Sequence, residues 1–329
     1  MAAMITHVPQ SSAPSVFDEI RQGFAFVAQH LRHITLHEDA FAAYAQTLPV
    51  RHPAAIFDAD HHFIGSAEAT AAYVITLDAV NFGSGYEPHL VREGWSLVDQ
   101  GIYFTVATRL KTRFEQGGIS ADALCQIGQE EISAMFALPH QPYAQELAGL
   151  FTQGLRDLGQ MIAGRYNGSF LSFVDAAEGK ASQIVRQMMA LPQFRDIHVY
   201  QGKDIPLLKR AQSTAADLHD AFRHKGMTLF SDVDQITVLT DNDVPCVMRA
   251  DGLMSYSDEL AAMIDRGEEL PVGSEAEVEI RACTGYIAER LAALKGVNAI
   301  AIDRVLWHKA AEDPFYRQQP THRTRSTFY

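Results

Sequence analysis

Leu147, Leu150, Phe151, Leu155, Leu158, Met161 and Ile162 follow one another at steps of three and four. Those steps place them on one stripe of a helix, a pattern that a strand, alternating every second residue, does not produce. Val16, Ile20, Phe24, Val27 and Leu31 repeat it near the N-terminus. Ser66 before "AEATAAYVITLDAV" and Ser120 before "ADALCQIGQEEISAMF" stand where helix N-caps are expected. Strand candidates are few and short, "RDIHVY" and "QITVL" being the best. No repeat, low-complexity stretch or linker divides the chain. The expectation is a mostly α, compact multi-helix fold in a single domain over residues 1–329. Within it, a helical N-terminal lobe covers roughly 1–200 and a C-terminal lobe roughly 201–329.

The C-terminal lobe carries the clearest supersecondary signal. "YSDELAAMIDRG" has Ser257 as a cap and Gly267 as a stop, "EELPVGSE" reads as a turn, and "AEVEIRACTGYIAERLAALKG" ends at Gly296. The spacing predicts a helix–hairpin–helix followed by the apolar run "NAIAIDRVLWHKA". Asp303 within that run either caps a helix or faces a substrate. If the run is helical, Trp307 shares its face.

A formal net charge of −13, with Lys and Arg scattered, disfavours a nucleic-acid polymer as partner. The one basic cluster is the tail "YRQQPTHRTRSTFY", so a phosphate-bearing ligand is expected to be small. Cys125, Cys246 and Cys283 are far apart, without disulfide or zinc spacing, which fits a reducing compartment. No secretory signal and no apolar run near the ~18 residues of a membrane span is present. A cytoplasmic protein without membrane contact or obligate protein partner is expected.

Several strings look like chemistry and dissolve on inspection. "DADHHFIG" crowds Asp58, Asp60, His61 and His62 into a loop without a matching second cluster, so no metal is expected. "NFGSGYEP" fails the G-x-G-x-x-G dinucleotide pattern, and no G-x-S-x-G elbow or Cys–His pairing stands out. Lys209 and Arg210 in "LLKRAQS" read as solvated charges, and Glu277 with Arg281 as an exposed i,i+4 pair. The acids of "LFSDVDQITVLTDNDVP" read as turn formers and caps, with Asp243 opening a helix.

Taken in order, "LDAVNF", "GWSL", "NGSFLSFV", "LLKRAQ", "FSDVDQITVLTD", "GLMSYSDEL", "EVEIRA", "IDRVLW" and "HRTRSTFY" resemble the queuosine salvage family, the queuosine 5′-phosphate N-glycosylases (hydrolases), over most of the chain. The chain departs from that family's pattern at Gly83-Ser84-Gly85-Tyr86 and at Asp241-Asn242-Asp243. The resemblance implies a fold like the helix–hairpin–helix DNA glycosylases and hydrolysis of the N-glycosidic bond of queuosine 5′-monophosphate, without a cofactor, to release queuine for tRNA modification. It also implies site residues. Asp303 is the expected catalytic carboxylate, set against the anomeric carbon. Phe230, Asp232, Asp241, Asn81 and Phe82 are the candidates for the base; Lys209, Arg281, Trp307, His322 and Arg323 are those for phosphate and ribose. The competing readings are a non-catalytic protein that binds a modified nucleotide, a glycosylase for another nucleotide, and a helical scaffold for a protein partner.

Overall fold

A computed structural model describes residues 14–49, 57–98 and 101–329. The described chain is mostly helical, with two short two-stranded ladders. Helix α1 (Val16–Ala28) starts at a reciprocal cap: Ser15 Oγ accepts from the Phe17 N–H at 3.3 Å, and the Asp18 carboxylate accepts from the Ser15 N–H. Its stripe of Val16, Ile20, Phe24 and Val27 is buried. Helix α2 (Ala67–Ala79), capped by Ser66, is buried at every position from Thr70 to Ala79. Helices α3 (Ile102–Glu115) and α4 (Pro142–Tyr166) pack on either side of it. The α4 stripe is buried at Leu147, Phe151, Leu155, Leu158 and Ile162, and the helix stops where Asn167 turns left-handed at φ 52°.

Helix α5 (Lys209–Arg223) departs from that grammar. Its sequence "KRAQSTAADLHDAFR" is polar, yet every residue from Lys209 to Phe222 is buried. Lys209 and Arg210 are therefore not the solvated charges that their sequence context suggests. The Asp196 carboxylate receives the Lys209 N–H at 3.3 Å. The Arg210 guanidinium donates to the carbonyls of Asp78, Gln193 and Thr327 and lies between the rings of Phe82 and Phe194.

Strand β1 (Ile34–Leu36) pairs antiparallel with the later strand Met254–Tyr256. Strands β2 (Ile197–Tyr200) and β3 (Lys203–Pro206) form a hairpin where "RDIHVY" predicts a strand. "QITVL" is no strand. Side chains hold its backbone instead: Gln212 Oε1 accepts the Thr237 N–H at 3.0 Å, Asp303 Oδ1 accepts the Leu239 N–H at 2.8 Å, and Arg281 Nε donates to the Thr240 carbonyl at 2.9 Å. β-branched residues and a ladder partner are separable requirements, and only the first is readable in one segment.

Helix α6 (Asp243–Ala250) begins where Asp243 suggested, and α7 (Asp258–Asp265) and α8 (Glu275–Lys295) flank residues 266–274. Helix α8 packs chiefly on α1 and Glu38–Thr47 rather than on α7. Gly285 makes the contact with α1 close: a Cβ there would lie 2.3 Å from the Phe24 ring. Helix α9 (Ala299–Glu312) is capped by Asn298, whose Oδ1 accepts the Ala301 N–H at 3.1 Å. Asp303 is thus inside a helix and not its cap.

The C-terminal segment runs back along the molecule. Leu270 N–H donates to the Arg323 carbonyl at 2.7 Å, and Gly83 N–H to the Tyr329 carbonyl at 3.1 Å. At Gly85 a Cβ would meet the Thr324 carbonyl oxygen at 2.1 Å, so the Gly83-Ser84-Gly85 step leaves room for the returning segment.

Candidate active site

Six segments converge on a cleft with about 780 Å³ of free space, counted out to its mouth. Helix α5 contributes Lys209, Ser213 and Asp217, spaced four apart along one face. Helix α9 contributes Asp303 and Trp307, also four apart. The side-chain-tethered stretch before α6 brings Leu239, Asp241, Asn242 and Asp243. Asn81, Phe82 and Ser84 come from the turn after α2, Tyr103 from α3, and Tyr329 from the returning segment.

Four carboxyl groups face this space, and their surroundings divide them. Asp241 Oδ1 accepts the N–H groups of Asp243 at 2.9 Å and Val244 at 3.3 Å, at the start of α6. Asp303 is only 2% exposed. Burial, and then the charge of Asp241, push its pKa up to about 8, against the opposing Leu239 N–H bond and the more distant Arg304 and Lys209. Burial followed by Asp241 likewise takes Asp243 to about 7. Burial raises Asp217 well above the usual carboxylate range, with Asp78 and Asp220 adding to it. Near neutral pH Asp217 and Asp303 are therefore held mostly protonated, in a cleft that Asp241 and Lys209 also line.

Lys209 is 9% exposed, and its ammonium has no ion-pair partner within 4 Å among the described residues. Aromatic rings form the opposite wall. Trp307 stands edge-on to Tyr103 at 6.3 Å, and Phe82 lies edge-on to Phe151 at 5.0 Å. Behind Tyr103, His62 Nε2 sits 2.8 Å from the phenolic oxygen; burial lowers the pKa of His62 to about 4, so its ring is neutral.

Of the residues singled out in the sequence, Asn81, Phe82, Lys209, Asp241, Asp303 and Trp307 line the cleft. Five do not. Phe230 is buried beside His219. Asp232 caps the helix Ala181–Met188, accepting from the Ala181 N–H at 2.6 Å and from Ser182 Oγ at 2.6 Å. Arg281 is fully buried, forked onto Asp196 at 3.0 and 2.5 Å and bonded to Glu277 at 3.2 Å. The Glu277–Arg281 pair expected on the surface is interior, and with those donors engaged Arg281 acts at one remove, supporting Thr240 and stacking on Tyr329 at 4.5 Å. His322 is buried against Tyr329, and Arg323 lies against Gly267. The sequence reading missed Ser213, Asp217, Tyr103 and Tyr329. A signal for the first two exists: they stand four and eight residues after Lys209, on the same helix face. The crowded "DADHHFIG" loop is explained by hydrogen bonding, since Asp58 Oδ1 accepts the His61 N–H at 2.8 Å and His61 Nδ1 lies 2.9 Å away. Among the described residues no group of His, Cys, Asp and Glu has the arrangement of a metal site, and no helix is long and apolar enough to cross a membrane.

Neighbouring carboxyl groups, one of them kept protonated near neutral pH, together with a lysine and aromatic rings are suited to acid–base chemistry on a small ring-bearing substrate. Residues 61–329 match the family described as queuosine salvage protein. The chain is similar to the queuosine 5′-phosphate N-glycosylase/hydrolase of Sphaerobacter thermophilus, 33% identical over 92% of this chain and 95% of that one. The proteins of the same name from Dictyostelium discoideum (32% identical; 80% of this chain, 79% of that one) and Mus musculus (30%; 80% and 83%) are also similar. The chain belongs to the queuosine salvage family.

Proposed function

We propose that this chain hydrolyses the N-glycosidic bond of queuosine 5′-monophosphate and releases the base queuine, as a single catalytic unit to which both halves of the chain contribute walls. The observation that carries the reading is the Asp241–Asp303 pair, two neighbouring carboxyl groups of which Asp303 keeps its proton near neutral pH, in a cleft lined by Lys209, which has no ion-pair partner among the described residues. Breaking a ribosyl C–N bond builds positive charge on C1′ and the ring oxygen. Asp241 is the group suited to stabilise that charge or to capture it covalently before water completes the reaction. The base lacks N7, so a purine's usual site for activating protonation is absent. Asp303, with its proton, is suited to donate to an acceptor on the departing base. This moves Asp303 from the expected anion under the sugar to the acid above the base, because a carboxyl group with a pKa of about 8 is mostly neutral at pH 7.

Lys209 is suited to the 5′-phosphate, which Asp217 and Asp303, held mostly protonated by burial, do not repel. Asn81, Phe82 and Trp307 frame the base and sugar. The net charge of −13 favours a free nucleotide over a polymer, and unpaired Cys125, Cys246 and Cys283 fit a cytoplasmic site of action.

Incubating the protein with queuosine 5′-monophosphate and, separately, with queuosine tests this by chromatography of the free base. Release from the nucleotide in preference to the nucleoside is expected. Release from neither contradicts the reading, and equal turnover of both contradicts the role of Lys209.

A further inference from the structure

Helix α5 has a use beyond its lysine. Asp217 lies eight residues after Lys209 on the same face, which at the rise of an α-helix is about 12 Å along the cleft. Its carboxyl group is 7% exposed, lines the cleft and receives no hydrogen bond among the described residues. Asp303 is tethered to Leu239 and Asp241 to the start of α6, while Asp243, also without a side-chain hydrogen bond among the described residues, is more exposed than Asp217. A buried acid without a partner costs stability and stays where a ligand supplies the partner. The ligand of the hydrolase reading has two charged poles: a phosphate at one end and, on the side chain of its 7-deazaguanine, an amine that is protonated at neutral pH.

Resting on that reading, we propose that Asp217 determines specificity by taking the ammonium group of the base's side chain, while Lys209 takes the phosphate, so that one helix face reads both poles of the substrate. Ser213, one turn from each, lies between them. Asp217 is a recognition group and takes no part in bond cleavage.

In the empty cleft Asp217 is held neutral by burial, with Asp78 and Asp220 opposing its charge and Arg304 and Lys209 favouring it; the phenols of Tyr73 and Tyr103 also lie within its electrostatic reach. Accepting an ammonium group then requires Asp217 to pass its proton to solvent. Binding of an aminated base at pH 7 therefore releases about one proton.

The test is calorimetric binding of two free bases, 7-aminomethyl-7-deazaguanine and 7-deazaguanine, to the wild-type chain and to Asp217→Asn, Asp217→Glu and Asp243→Asn. The wild type and Asp243→Asn are expected to favour the aminated base by roughly tenfold or more, the scale of a charge-assisted hydrogen bond. In Asp217→Asn the preference should shrink to within about twofold, with 7-deazaguanine still bound and the proton release gone. Asp217→Glu should recover part of both. A wild type without preference, an Asp217→Asn chain that keeps it, or its loss in Asp243→Asn instead overturns the proposal. These ratios need no turnover, so they are read separately from the hydrolase reading, which stands or falls on base release from queuosine 5′-monophosphate.

Discussion

Helices α4 and α5 are both buried along the length that faces the interior, and they are built from opposite materials. In α4 the buried face is Leu147, Phe151, Leu155, Leu158 and Ile162, and its one buried polar residue, Thr152, spends its hydroxyl on the Ala148 carbonyl. In α5 the buried set includes Lys209, Arg210, Gln212, Asp217, His219 and Asp220. The first kind of burial is driven by removing apolar area from water. The second is held by specific partners: Asp196 for the helix start, three carbonyls for Arg210, the Thr237 backbone and hydroxyl for Gln212, and Arg304 for Asp220. An apolar helix can be replaced by another of similar volume, whereas a buried polar helix is retained for what it holds in place. Here it holds an amine and a carboxyl group, Lys209 and Asp217, toward a cleft.

Breaking a polar tie in α5 should cost more than making a hole in α4. Arg210→Met leaves the carbonyls of Asp78, Gln193 and Thr327 buried without donors, and should lower stability by about 4 kcal/mol in urea unfolding. It should also loosen the returning segment and so reduce turnover by the folded fraction. Leu155→Ala in α4 should cost about 3 kcal/mol through lost burial and a cavity. Turnover per folded molecule should stay unchanged, because α4 reaches the cleft with no functional side chain.

A smaller effect comes from pH. Asp303, with a folded-state pKa of about 8, and Asp78 and Asp243, at about 7, retain protons that an unfolded chain has already lost. The folded state thus binds more protons than the unfolded state through this window, and stability falls as pH rises. His62 and His322, whose pKa values burial lowers to about 4 and about 3, act in the other direction and only below about pH 6.5. The melting temperature should therefore decline between pH 6.5 and 8.5. A flat or rising trend there would contradict the burial of these acids.

The same contrast explains what the sequence made legible. The α4 stripe, the caps at Ser66, Ser120 and Ser257, and the scarcity of strands follow from local periodicity and turn chemistry, whereas the last apolar run is capped by Asn298 and not by Asp303. Lys209 and Arg210 resist such reading, since a polar helix face looks solvated until Asp196, Phe82 and the segment at Thr327 are brought to it from far along the chain. "QITVL" misleads for a related reason: its hydrogen-bond partners are the side chains of Gln212, Asp303 and Arg281 rather than a neighbouring strand. Within the cleft, Asp241 and Asp303 could be named from motifs. The proton that Asp303 keeps could not, because it depends on burial and on the nearby Asp241. Arg281 and Asp232 carried the right chemistry for a ligand and are occupied by the protein itself.

The division of labour between Asp241 and Asp303 is tested most directly by kcat/KM for queuosine 5′-monophosphate as a function of pH, in the wild type and in Asp303→Asn side by side. The wild type should lose activity above about pH 8 as Asp303 gives up its proton. Asp303→Asn should be slower by roughly 10²–10⁴-fold at neutral pH and lack that alkaline limb. An Asp303→Asn chain that turns over at the wild-type rate, or one that keeps the same alkaline limb, would contradict the account.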